Sequence, residues 1–148
     1  MKTLGNILWF IFGGGWLAGT LWAILGAICY VTVIGIPFGT ACFRIMPFAY
    51  APFGRELVDA RDVGEERIAM TGLANFLWIV LFGLWTSIAC IFAGITLCCA
   101  IITIPFGIAY FKLAVAAFSP LGKRIVSTEM AKVIRERKAA GELDRRLA

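Results

Sequence analysis

No histidine occurs anywhere in the 148 residues. That absence excludes Ser-His-Asp and Cys-His catalysis, the commonest proton shuttle and most zinc sites. Charge is scarce too: Asp, Glu, Lys and Arg make up 16% of the chain, against about a quarter in ordinary soluble domains. None of the four occurs from Thr3 to Phe43, nor from Ile68 to Phe111, which leaves uncharged stretches of 41 and 44 residues. A small soluble core cannot enclose so much apolar chain, so lipid is the expected main solvent. Within those stretches there is no acid and no Ser-x-x-Lys, and Ser87 and Thr96 are isolated hydroxyls that a helix carbonyl can satisfy. Glu56 and Asp59 are acids available near the interface, but Arg124 replaces Glu56 in the second copy; an enzyme is not expected. The five cysteines lie inside the two stretches, and adjacent Cys98-Cys99 lacks the spacing of a redox or metal motif. They read as small apolar packing residues. No metal and no cofactor is expected.

What charge there is has been placed unevenly. The net charge is +5. Residues 44–67 carry four basic and five acidic side chains, whereas 112–148 carry nine and four. A basic tail beside hydrophobic spans marks the cytoplasmic side and an attraction to anionic headgroups, not to nucleic acid. Lys2 precedes an apolar run with no small-residue cleavage site, so the first block is expected to stay in the membrane.

The chain reads as a duplication. Asn6, Leu8, Trp9, Gly14 and Trp16 meet Asn75, Leu77, Trp78, Gly83 and Trp85 at an offset of 69. At an offset of 68, Ile36-Pro37-Phe38-Gly39 meets Ile104-Pro105-Phe106-Gly107, and Arg44 meets Lys112. Pro52-Phe53-Gly54-Arg55 then meets Pro120-Leu121-Gly122-Lys123, and Arg124 stands where the first copy has Glu56. Shared membrane composition does not supply paired Trp, Pro, Gly and basic residues in register. Both copies end in basic sequence, so both ends prefer one side; the repeats are then parallel, each with an even number of crossings.

A span needs about 20 apolar residues. The expected fold is an all-α integral membrane protein of about four helices, near 4–25, 28–50, 72–93 and 95–118, with turns at Gly26 and Gly94. Residues 1–58 form membrane repeat 1, 59–72 a charged cytoplasmic linker, 73–126 membrane repeat 2, and 127–148 a cytoplasmic amphipathic tail. Pro37 and Pro105 fall inside their helices and are followed by Gly39 and Gly107. This predicts a Pro-Gly break in the second helix of each hairpin. In the other topology Ile-Pro-Phe-Gly ends one long hydrophobic helix, and the residues after it re-enter the cytoplasmic interface. The five tryptophans read as an interfacial belt or as packing. In the tail, Ser127 or Thr128 caps a helix, Glu129 suits its first turn, and Met130, Val133 and Ile134 form its apolar stripe. Gly141 is expected to interrupt it.

The paired Ile-Pro-Phe-Gly elements, the paired Pro-x-Gly-[Arg/Lys] ends and the length resemble the YccF family of small bacterial inner-membrane proteins, over essentially the whole chain. The resemblance implies a multi-pass protein of the bacterial cytoplasmic membrane, and no activity that can be carried over residue by residue.

Two functions are then expected in turn. Arg44 and Lys112 each lie seven residues beyond a repeat proline. In a homo-oligomer they would ring a cytoplasmic mouth and favour anions; as single side chains they would snorkel to headgroup phosphate. Arg55, Lys123 and Arg124 are juxtamembrane basic residues of the same kind. Gly13-Gly14-Gly15, Gly19 and Gly26 thin one side of the first helix, which would admit a second copy. The alternative to a pore-like assembly is a scaffold or sensor subunit that presents linker and tail to a cytoplasmic protein partner.

Overall fold

The computed structural model describes residues 2–32, 35–66 and 71–147; linker residues 67–70 and the pair 33–34 lie outside the described residues. Helix α1 (Lys2–Phe12) is followed by α2 (Gly15–Val31) and α3 (Ile36–Tyr50), then strand β1 (Arg55–Asp59). Helix α4 (Thr71–Trp78) runs through one wide π turn at Ile79–Gly83 into α5 (Leu84–Cys98). Helix α6 (Ile104–Phe118), strand β2 (Lys123–Ser127) and helix α7 (Thr128–Leu147) complete the chain.

Both halves are tied together by the same pair of side chains. The indole N–H of Trp9 donates to the Ala49 carbonyl at the end of α3 (2.8 Å), and that of Trp78 donates to Ala117 at the end of α6 (2.8 Å). One turn earlier, the Asn6 amide donates to the Phe53 carbonyl (3.1 Å) and accepts from the Phe53 N–H (2.9 Å). Asn75 makes the same two bonds to Leu121, at 3.0 and 3.1 Å. A loop backbone in an apolar body has no water to bond, so each asparagine satisfies a donor and an acceptor that would otherwise be costly.

The tryptophan rings then cross between halves. Trp78 is sandwiched between Phe38 (5.8 Å, 17°) and Trp22 (6.1 Å, 15°) of the first half. Trp9 packs against Phe106 (6.0 Å) and Tyr110 (5.0 Å) of the second. Phe38 is at the start of α3 and Phe106 at the start of α6, while Ala49 and Ala117 are at the ends. The start of each helix therefore lies beside the end of the other, and α3 and α6 run antiparallel. Trp9 and Trp78 are 0% and 1% exposed and sit at the centre of this packing.

Several expectations are corrected. Pro37 and Pro105 do not break a helix; each lies in the first turn of one, α3 and α6. There the missing N–H has no partner to lose and the fixed φ suits the turn. Gly39 and Gly107 are not breaks either. They bring the hairpin helices close, and a Cβ on them would stand 3.0 Å and 2.7 Å from the Gly26 and Gly94 carbonyls. Gly26 and Gly94, the expected turns, are buried inside α2 and α5. The Ile-Pro-Phe-Gly segment thus begins a helix in each half, and neither breaks one nor ends one as the two expected topologies had it.

The true break is at Gly13-Gly14, where Gly14 has φ 76° and α1 and α2 meet at 75°. The Trp9 ring fills the bend, and a Cβ on Gly15 would stand 2.4 Å from it. In the second half the π turn carries Gly83 past the Trp78 ring without a bend, and Gly72–Cys98 is continuous. Gly15 and Gly83 hold the same place against their tryptophans, so the one-residue gap between the copies falls here, before Trp16. Trp9, Trp22 and Trp78 are buried packing residues, while Trp16 and Trp85 face outward.

To the expected helices the structure adds a two-stranded antiparallel ribbon. At its centre Leu57 pairs with Ile125, the residue 68 places later. Both ends close alike: Ala60 N–H donates to Gly122 O (2.9 Å) and Thr128 N–H to Gly54 O (3.1 Å). Gly54 and Gly122 have φ 85° and 78°, which explains the glycine of each Pro-x-Gly motif. Among the described residues, Gly72–Cys98 and Ile101–Phe118 are long and apolar enough to cross a membrane, and the count is three if the bent α1–α2 pair is taken as one span.

Trp78→Phe keeps the ring but orphans the Ala117 carbonyl, and is expected to cost about 1–3 kcal/mol. Trp78→Ala also empties the sandwich and is expected to cost about 3–5 kcal/mol. Thermal unfolding in detergent reads both; two variants as stable as the parent would refute the bracing role.

Candidate functional site

The charged residues gather around the ribbon. Leu57 and Ile125 pack against the apolar core. Their neighbours Glu56 and Arg124 reach the polar elements instead, as strand alternation requires. Glu56 pairs with Arg135 of α7, and Arg124 pairs with Glu65 of the linker. Positions 56 and 124 correspond in the two copies but carry opposite charge. Each strand is therefore latched by the segment that follows the other strand.

Arg124 grips Glu65 with a fork: its Nε donates to Oε2 at 2.7 Å, and Nη2 meets Oε1. Bidentate guanidinium–carboxylate contacts are among the stronger ion pairs. The Arg124 hydrogen bond, then the charges of Arg124 and Arg44, hold the Glu65 carboxyl below its ordinary value of 4.5. Arg44 shares with Glu65 and Glu66 a cleft of about 170 Å³ that Pro37, Thr40 and Gly122 also line. It therefore faces acids at the cap. Its counterpart Lys112 is half-buried midway along α6. Arg55 donates to the Pro47 carbonyl near the end of α3 (2.8 Å), and Lys123 lies opposite Asp59 in the ribbon. The structure thus brings Arg44 to the cleft of the Glu65 that Arg124 holds, and places Arg55 and Lys123 at opposite ends of the ribbon.

Helix α7 is docked by its first half. Ser127 Oγ accepts from Met130 N–H (3.2 Å), Glu129 pairs with Lys2, and Lys138 pairs with Asp62 at 3.0 Å. Ala131 is buried beneath it. Lys2 holds the Glu129 carboxyl below 4.5, and this contact joins the start of α1 to the start of α7. Gly141 does not interrupt the helix, which continues to Leu147. From Ala139 to Leu147 every residue is exposed. The glycines expected to admit a second copy are spent within the chain: Gly19 lies against Tyr50, Gly15 against Trp9 and Gly26 against Cys42 and Phe43.

Sequence reasoning missed Glu65, Asp62 and Arg135, whose partners are 59 to 79 residues away. The alternation of Glu56-Leu57-Val58 and Arg124-Ile125-Val126, at equivalent places in both copies, was the available signal for a ribbon.

An apolar helical body with a charged cap defines a helical membrane protein. The model of the YccF family, described as an inner membrane component domain, matches the chain at residues 4–55 and again at 73–123. The inner membrane protein YccF of Escherichia coli (strain K12) is 36% identical over 149 aligned positions, covering 94% of this chain and 97% of that protein. The Shigella flexneri protein of that name matches to the same extent. No solved structure matches. The chain belongs to the YccF family of inner-membrane proteins.

Because Glu65 is held below 4.5 in the fold, its ion pair contributes stability above the unfolded glutamate value and loses it as pH falls through the lowered value. A carboxyl-carbon NMR titration should place the Glu65 midpoint below 4.5, and Arg124→Ala should move it upward. A midpoint unchanged by the substitution would contradict the latch.

Proposed function

We propose that the protein is a membrane-anchored platform: two copies of one helical hairpin hold a ribbon and a projecting helix in the cytoplasm for a protein partner. The observation that carries this reading is the exposed half of α7, with Leu143 and Leu147 58% and 78% exposed beyond the last contact to the body. Single apolar side chains are common on surfaces. Here two of them, four residues apart and so on one helix face, lie on a segment that stays exposed among the described residues from Ala139 to Leu147. The contact between Lys2 and Glu129 supports both termini lying on one side, and the basic excess of the tail supports a cytoplasmic face for that side.

The anion-pore reading loses its motive at Arg44, which faces Glu65 and Glu66. Anion efflux from proteoliposomes is expected to equal that from empty vesicles. Efflux that falls in Arg44→Ala/Lys112→Ala would reinstate a pore. For the platform, photo-crosslinkers at positions 143 and 147 in intact cells should trap one cytoplasmic protein, and deletion of 139–147 should abolish its co-purification while the chain stays in the membrane. Adducts to lipid alone, or a partner retained after the deletion, would overturn the platform.

A further inference from the structure

We propose that Arg44 and Arg124 form a phosphate cradle at the membrane surface, in which the Glu65 carboxylate sits as a tethered stand-in for the phosphate of an anionic lipid headgroup. The two cations come from different halves: Arg44 from α3, Arg124 from β2. Arg124 forks the Glu65 carboxylate and Arg44 lines the cleft that Glu65 enters, because the antiparallel arrangement brings the first half of α3 beside the Gly122 turn. A carboxylate held by a guanidinium fork occupies the geometry that two phosphate oxygens would take.

The occupant is exchangeable. The side chains of Arg124 and Glu65 are 35% and 41% exposed. Glu65 lies on the stretch between the 3₁₀ turn at Ala60–Val63 and the next helix, and the bond from its N–H to Ala60 O (3.0 Å) is the backbone tie that holds it there. The helix that carries Arg44 also presents apolar side chains. Ile36 and Phe43, on either side of the cleft-lining turns of α3, are 43% and 38% exposed. A ligand with both a phosphate and acyl chains fits that combination; a free phosphate uses only the polar part.

There is one cradle per chain. At the corresponding place in the second copy, Arg124 is replaced by Glu56 and Glu65 by Val133, and Arg135 of α7 covers the position. The cradle stands independently of the platform reading, since it needs neither α7 beyond Lys138 nor a protein partner.

The test uses the full chain purified in an uncharged detergent, with native mass spectrometry reading retained phosphatidylglycerol across a titration. Glu65→Gln removes the competitor and is expected to raise apparent affinity about tenfold, while Arg44→Gln and Arg124→Gln lower it by about the same factor. Lys132→Gln, an exposed base on α7, should leave it unchanged. Millimolar inorganic phosphate added to the parent distinguishes the sources: retained lipid assigns the site to a headgroup, displaced lipid to free phosphate. Equal lipid retention by the parent, Glu65→Gln and the arginine variants would overturn the cradle. Because Glu65→Gln predicts a gain, loss of folding cannot imitate its result.

Discussion

A buried indole N–H must find an acceptor, and in this protein two of them decide how the chain packs. Trp9 and Trp78 each bond the carbonyl at the end of the returning helix of their own half, and each then lays its ring against the other half. The hydrogen bond fixes the depth of the ring and the ring fixes the partner. The antiparallel crossing of α3 and α6 follows, because Phe38 and Phe106 must reach tryptophans that are pinned at the far ends of the opposite helices. The ribbon follows in turn, since the two Pro-x-Gly turns emerge beside one another and can pair only in opposite directions.

Where the halves differ, the differences are local. A left-handed glycine bends the first half by 75°, while a π turn keeps the second continuous. The latch residues at 56 and 124 have opposite charge, so one copy draws in an acid and the other a base. This reversal gives the linker and the tail different seats on a ribbon whose backbone is nearly symmetric. The linker's seat adjoins Arg44 in a cleft at the cap; the tail's seat leaves nearly half of α7 free of the body.

The apolar blocks, the charged cap and the paired Asn, Trp, Pro and Gly positions were legible in the sequence because each reflects a local rule: hydropathy, helix starts, left-handed turns. The role of proline was not. In a chain of uniform hydropathy, nothing local distinguishes a proline that breaks a helix from one that begins it. The ribbon was hidden because its strands are five residues long and pair across 68 residues of sequence. The glycines of α2 carry the same ambiguity. A thinned helix face admits a neighbour, and Tyr50 and Phe43 of the same chain turn out to be that neighbour. The candidate site suffered most, since Arg44 was legible as a cation near the membrane, whereas its acidic companions depend wholly on the ribbon's register.

The central claim is that the two halves meet head to tail at a ribbon centred on Leu57 and Ile125, packed on the core cluster that contains Trp78. Oxidative cross-linking in native membranes tests it directly, with Leu57→Cys and Ile125→Cys placed in a chain whose five cysteines are replaced. Rapid intramolecular disulfide formation is expected, and slower formation when Trp78→Ala loosens the brace beneath. A pair that remains reduced, or that links only between separate chains, would contradict the account.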